Sequence, residues 1–259
     1  MNRRKFLAAG GAGLVAPGVA AEPGKTSILD LSYIQMRNSR DEQARTTQEF
    51  VEKTVAPALR RAGSGPVGIF SNLIGPDSPR LMVLTSYKSL ADMDVVRGRL
   101  RGDEELRKAA EAYYGRPGLV YQRIERSLLE GFETVPGIEV APAGEGRSGR
   151  VFELRVYESD NAVTLARKVG MFNQGEIAIF RRLNMRPVFF GTTLVGPRMP
   201  NLTYMLAFDS LAAREKAWSA FGADPEWQKM RKLPGLADGE VVSNISNSIF
   251  RAMPGSDIR

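Results

Sequence analysis

An internal duplication constrains this chain more than any other feature. Adding 121 to a residue number in the first half lands on a similar residue in the second, with no gap over roughly a hundred positions. Gly75-Pro76 falls on Gly196-Pro197, Pro79 on Pro200, and Ser89-Leu90-Ala91 on Ser210-Leu211-Ala212. Asp103, Glu105 and Lys108 fall on Asp224, Glu226 and Lys229, Arg60-Arg61 on Arg181-Arg182, and Ser127 on Ser248. One register held through so many turn and helix signals means that the same unit is folded twice.

The units run over 27–130 and 148–251, and the Gly- and Pro-rich segment 131–147 reads as a linker. In the second unit, Val151 to Tyr157 alternates like a strand. Asn161 to Arg182 carries Val163, Leu165, Val169, Phe172, Ile177 and Phe180 at helical spacing. Two strands follow, Val188 to Val195 and Leu202 to Phe208, joined by the Gly196-Pro197 turn. Ser210 caps the next helix, Asp224-Pro225-Glu226 restarts it, and Glu240 to Phe250 is the last strand. The order β-α-β-β-α-β is the ferredoxin-like split motif, an α+β unit whose antiparallel sheet carries helices on one face only. The bare face needs a partner, so the two sheets are expected to face each other as an intramolecular dimeric α/β barrel. An exposed sheet edge in each unit would leave room for higher assembly.

Ahead of the repeat stands MNRRKFLAAGGAGLVAPGVAAEPG, with cations first, then a short apolar run diluted by glycine, then small residues. The pair Arg3-Arg4 before Phe6-Leu7 resembles the bacterial twin-arginine signal, with residues 1–21 removed after Ala21. This predicts the Tat export machinery as a partner and a periplasmic or secreted location. Loss of the leader removes three cations and no acid, lowering the formal charge from +7 to +4. That balance, with no Lys/Arg stripe interleaved with aromatics, argues against nucleic acid. No later run reaches the length of a transmembrane helix.

The chain contains no Cys and no His. Disulfides, structural zinc, histidine-ligated haem and cysteine or serine-histidine nucleophiles are thereby excluded or disfavoured. No cofactor is predicted, although flavin stays open. Gly63-Ser64-Gly65-Pro66-Val67-Gly68 spells a dinucleotide fingerprint, but it leaves a helix and enters a strand, so it reads as a helix stop. Asp103-Glu104-Glu105 stands at a helix start, where acids suit the dipole better than they suggest a metal.

Glu153-Leu154-Arg155-Val156-Tyr157, Gly196-Pro197-Arg198 and SLAAREKAWSAFGADPEW from Ser210 to Trp227 resemble the NIPSNAP domain, a branch of the dimeric α/β barrel superfamily. The resemblance covers the second unit almost entirely. In the first, Leu106 stands for Trp227, Arg97 for Trp218, and Ser32-Tyr33-Ile34-Gln35-Met36 replaces the Glu-Leu-Arg-Val-Tyr strand. The first unit is thus a diverged copy supplying the partner sheet, and any site is expected in the second. The resemblance implies a fold and no catalytic set.

Strand alternation puts Glu153, Arg155 and Tyr157 on one face, expected to point into the barrel between the sheets, with Tyr204 on the neighbouring strand. These four are the candidate ligand-binding residues, and Arg155, Tyr157 and Tyr204 the catalytic candidates. Trp218 and Trp227 read as core anchors, and Arg198 as a solvated turn residue. Two readings follow. In one, an exported binding or accessory protein holds a small apolar molecule. In the alternative, a cofactor-independent periplasmic monooxygenase or isomerase acts on an aromatic or enolisable substrate, Arg155 steadying an oxyanion and Tyr157 or Tyr204 exchanging a proton. A barrel filled with side chains would favour a purely structural interaction protein instead.

Overall fold

A computed structural model describes residues 26–38, 42–141 and 149–259. The leader, with Arg3, Arg4 and the cleavage position after Ala21, lies outside the described residues. The first unit comprises β1 (Ile28–Gln35), α1 (Gln43–Phe50), α2 (Ala56–Ala62), β2 (Gly68–Ile74), β3 (Arg80–Tyr87), α3 (Leu90–Gly102), α4 (Glu104–Tyr114) and β4 (Arg123–Gly131). The second comprises β5 (Val151–Glu158), α5 (Ala162–Met171), α6 (Ile177–Arg182), β6 (Arg186–Val195), β7 (Asn201–Phe208), α7 (Leu211–Ala223), α8 (Pro225–Met230), α9 (Asp238–Val241) and β8 (Asn244–Ala252). The short α9 takes residues expected to open the last strand, which therefore starts at Asn244.

The shared local chemistry is duplicated in detail. Ser89 and Ser210 cap α3 and α7 by accepting the amides of Asp92 and Ala213. Asp103 and Asp224 cap α4 and α8 in the same way, and Gly63 ends α2 in the left-handed region at φ 90°. Each long first helix is interrupted at the same place by one π-helical turn, Val51–Val55 and Phe172–Glu176.

The eight strands close into a barrel in the order β1-β3-β2-β8-β5-β7-β6-β4, with β4 returning to β1. Two seams join the units, β2 with β8 and β4 with β6, each carrying a register shift. At these seams Gly75 and Gly196 lie so close to Ser248 and Ser127 that a Cβ would sit 2.7 Å from the serine hydroxyl, which explains why both hairpins need glycine. Closure pairs every strand on both sides, so the free edges expected to support further assembly are consumed.

The barrel interior is filled by apolar side chains of both units, among them Leu29, Phe70, Met82, Phe152, Leu154 and Met205. Phe70 and Phe152 meet edge to face across the interior at 5.0 Å. Ile258, in the tail after β8, packs into the same cluster, so the fold continues past residue 251. The segment read as a linker is packed over its first part. Phe132 and Val135 are buried in the core of the second unit, and the Glu139 amide donates to the Val188 carbonyl at 2.8 Å. Among the described residues no helix is long and apolar enough to cross a membrane.

Candidate functional site

The first strands of the two units do not superpose at 121. Ile28 pairs with Tyr87 in one sheet and Val151 with Phe208 in the other. Since Tyr87 and Phe208 are repeat partners, the first strands correspond at 123, with the two-residue difference absorbed before the helix. A slip of two preserves which side chains face which way, so the sheet tolerates it. Asp30 is therefore the counterpart of Glu153, Ser32 of Arg155 and Ile34 of Tyr157, in correction of the ungapped alignment.

The face assignment is also reversed. Phe152 and Leu154 fill the barrel, while Glu153, Arg155 and Tyr157 point outward under the helices. Packing decides this: the space between two sheets must be filled by apolar side chains from both, and helix-borne donors are available on the other side. Glu153 is fully buried and accepts from Arg214 Nε at 2.9 Å and Nη2 at 2.6 Å, from Trp218 Nε1 at 2.6 Å and from Arg155 Nη1 at 3.0 Å. Burial pushes its carboxyl up, but these donors and the adjacent guanidinium charges outweigh that, holding it below its ordinary value. Arg155 also lies 4.5 Å from the Trp218 ring.

Deeper in the second unit, the Tyr204 hydroxyl donates to that of Tyr157 at 2.9 Å, and burial raises both phenols above their ordinary values. Lys168 and Glu176 form an ion pair at 3.0 Å with almost no exposure, Glu176 being delivered by the π turn. Burial disfavours the Lys168 ammonium, but the Glu176 carboxylate more than offsets it, so Lys168 titrates above its ordinary value. Around them Phe190 stacks on Tyr204 at 4.9 Å, and Phe180 meets Phe221 at 4.9 Å. The four residues expected to form a site are thus brought together, but inside a packed sheet-helix core. Tyr204 is fully buried, Trp227 is buried and Trp218 half-buried as core anchors, and Arg198 is an exposed turn residue at φ 59°.

The same layer of the first unit holds a cavity of about 510 Å³, within the range of ligand pockets. Its origin is residue by residue. Val51 stands where the second unit has Phe172, Val55 for Glu176, Leu59 for Phe180, Val83 for Tyr204, Leu100 for Phe221 and Ile34 for Tyr157, and all six of these smaller residues line the space. At its floor, Asp30 is 4% exposed and accepts from Arg126 Nε at 2.7 Å, from Arg126 Nη2, and from the Tyr87 hydroxyl at 3.3 Å. Burial, with the Asp30 charge, pushes the Tyr87 phenol up to about 12. The mouth is aromatic: Phe50 stacks on Tyr113 at 4.1 Å, with Tyr114 beside them and half exposed.

Sequence reasoning missed Asp30, Tyr87, Arg126 and the cavity itself. Two signals were available: the Asp30-Leu31 and Glu153-Leu154 pairs, visible once a gap of two is allowed, and the run of small residues opposite large ones at offset 121. A second cavity of about 370 Å³ opens near Arg150, Arg186 and Ile258. Its arginines are already engaged, Arg181 with Glu139 and both Arg150 and Arg186 with Asp209. Among the described residues no three His, Cys, Asp or Glu side chains are grouped to hold a metal ion.

The family model for NIPSNAP matches residues 38–134 and 152–257. The chain belongs to the NIPSNAP family. Both halves are matched, so the diverged first unit is a NIPSNAP copy as much as the second. No curated protein matches the sequence. Among solved structures, a "putative monooxygenase" of Lactobacillus acidophilus is similar over 88% of this chain and 94% of its own, at 8% identity and TM-score 0.58. Another so described, from Fusobacterium nucleatum, covers 88% and 92% at 6% identity and TM-score 0.56. A NIPSNAP-like domain protein of Burkholderia xenovorans aligns with 40% of this chain and 86% of its own, at 22% identity and TM-score 0.36. At such identities the full-length similarities establish the fold of this NIPSNAP protein, a closed barrel of two fused units.

Proposed function

We propose that this NIPSNAP protein is an exported binding or accessory protein that holds a small, largely apolar molecule in the sheet-helix cavity of its first unit. One observation carries the reading: six positions that fill the second unit with large side chains are occupied in the first by smaller ones, all around a single space. Core packing is normally close to crystalline, so an unfilled volume of this size costs stability unless something occupies it. The exported location rests on Arg3, Arg4 and the apolar run behind them.

The test is to refill the first unit from the second. The double variant Val83→Tyr, Leu59→Phe is expected to weaken saturable binding of N-phenyl-1-naphthylamine, followed by its fluorescence, by about a hundred-fold, against one strong site in the wild type. Unchanged binding in the filled variant would reject the cavity as the site.

A second reading, a cofactor-independent monooxygenase or isomerase, draws support from the Tyr87–Asp30–Arg126 group at the cavity floor and from the description of the two full-length neighbours. In that case Arg126, rather than Arg155, stands where an oxyanion would develop. Dioxygen uptake or isomerisation with a bound, enolisable aromatic separates catalysis from simple holding.

A further inference from the structure

We propose that the first-unit cavity selects an anionic ligand with an aromatic or aliphatic body, its acid group held at the mouth by Arg97 and Arg101. The proposal rests on reading the cavity as a binding site and adds the chemical class of what enters it. Both arginines lie on α3, four residues apart and therefore on one face, and both line the cavity. Neither makes an ion pair or hydrogen bond with any described residue, whereas their neighbours on the same surface are engaged: Arg99 donates to the Ala62 carbonyl at 2.9 Å, and Arg61 pairs with Asp103 at 2.8 Å. The one acid among the described residues of the lining, Asp30, is already held by two bonds from Arg126. Three guanidinium groups thus face one carboxylate, and the excess positive charge sits on the helix side.

The shared scaffold does not account for these charges. At the repeat positions the second unit has Trp218 and Gly222, and Trp218 donates to Glu153. In the first unit the acid is satisfied from β4 instead, which frees the helix position for a cation turned to the cavity. Below the arginines the walls are Val51, Val55, Leu59, Val83 and Leu100, which offer nothing to a small inorganic anion. The fit is to an amphiphile: a planar carboxylate or sulfonate taken by the guanidinium forks, with its body among the aliphatic side chains and the Phe50–Tyr113 stack.

Two probes with the same ring framework separate charge from shape. 1-Anilinonaphthalene-8-sulfonate carries the acid and N-phenyl-1-naphthylamine does not. The wild type is expected to bind the sulfonate at least about ten-fold more tightly at low salt, with the advantage shrinking at high salt. Arg97→Gln with Arg101→Gln should remove that advantage while changing the affinity for the neutral probe less than about two-fold, and Arg97→Lys with Arg101→Lys should keep most of it. Equal binding of the two probes by the wild type, or a glutamine variant that binds the sulfonate as the wild type does, overturns the anion assignment and leaves the cavity standing. Retention of both probes by the Val83→Tyr, Leu59→Phe variant, or binding of neither by the wild type, overturns the cavity reading itself.

Discussion

Both units bury an acid at the third residue of their first strand, and they satisfy it from opposite sides. Glu153 is met from the helices, by Arg214 and Trp218, with Arg155 beside it on the strand. Asp30 is met from the sheet, by Arg126 of β4. In the second unit the helix layer is thereby pinned onto the strands, and aromatic side chains fill what remains. In the first no helix side chain bonds the acid, and smaller side chains leave a space beneath the helices. Duplication allows this division, because one copy can be packed for stability while the other stays open, and the closed barrel holds both to a common frame.

The largest test of that contrast is removal of each acid. Glu153→Ala leaves Arg155 and Arg214, with side chains 14% and 20% exposed, without their carboxylate, and should cost about 3–5 kcal/mol in chemical denaturation. Asp30→Ala leaves Arg126, 47% exposed, free to turn to water, and should cost about 1–2 kcal/mol. Equal losses would break the comparison, since they would mean that the first helix layer also depends on its acid.

These particulars also mark what was legible in advance. Turn and cap residues, being local, announced the repeat, the element order and the strand-helix boundaries: Ser89, Asp103 and Gly63 do in the structure what their chemistry requires. From the bare sheet face the barrel followed. Which face of β5 turned inward was not legible, because both Phe152-Leu154 and the Glu153-Arg155-Tyr157 set have partners only in three dimensions, and the helix-borne donors to Glu153, Arg214 and Trp218, lie 61 and 65 residues away. The cavity was hidden for a different reason. It is made by side chains that are small relative to a copy, and volume differences leave no periodic signal in a single strand or helix.

Exchange of packing residues should give the next largest effect. Tyr204→Val places the first unit's residue in the second, strands the Tyr157 hydroxyl and opens a hole in a filled core, for an expected loss of about 3–5 kcal/mol. Val83→Tyr puts the reverse change into existing space and should alter stability by no more than about 1 kcal/mol in either direction, as cavity-filling changes do. A comparable loss from both would show that the first unit is as tightly packed as the second in solution.

The smallest effects are in pH dependence, where one group of each unit can be read by its own substitution. Glu153 has its carboxyl held below the ordinary value, so its contribution is complete above the unfolded value near 4.5 and is lost as pH falls through the folded one. Glu153→Gln should therefore flatten the acid limb of a thermal-midpoint profile. Tyr87 has its phenol raised from 10.0 to about 12, so the folded state keeps the proton longer than the unfolded chain. Its contribution is complete below about 10 and disappears as pH rises toward 12, so Tyr87→Phe should flatten the alkaline limb. An alkaline limb that did not respond to Tyr87→Phe would mean that the raised phenol contributes nothing to the stability of the first unit.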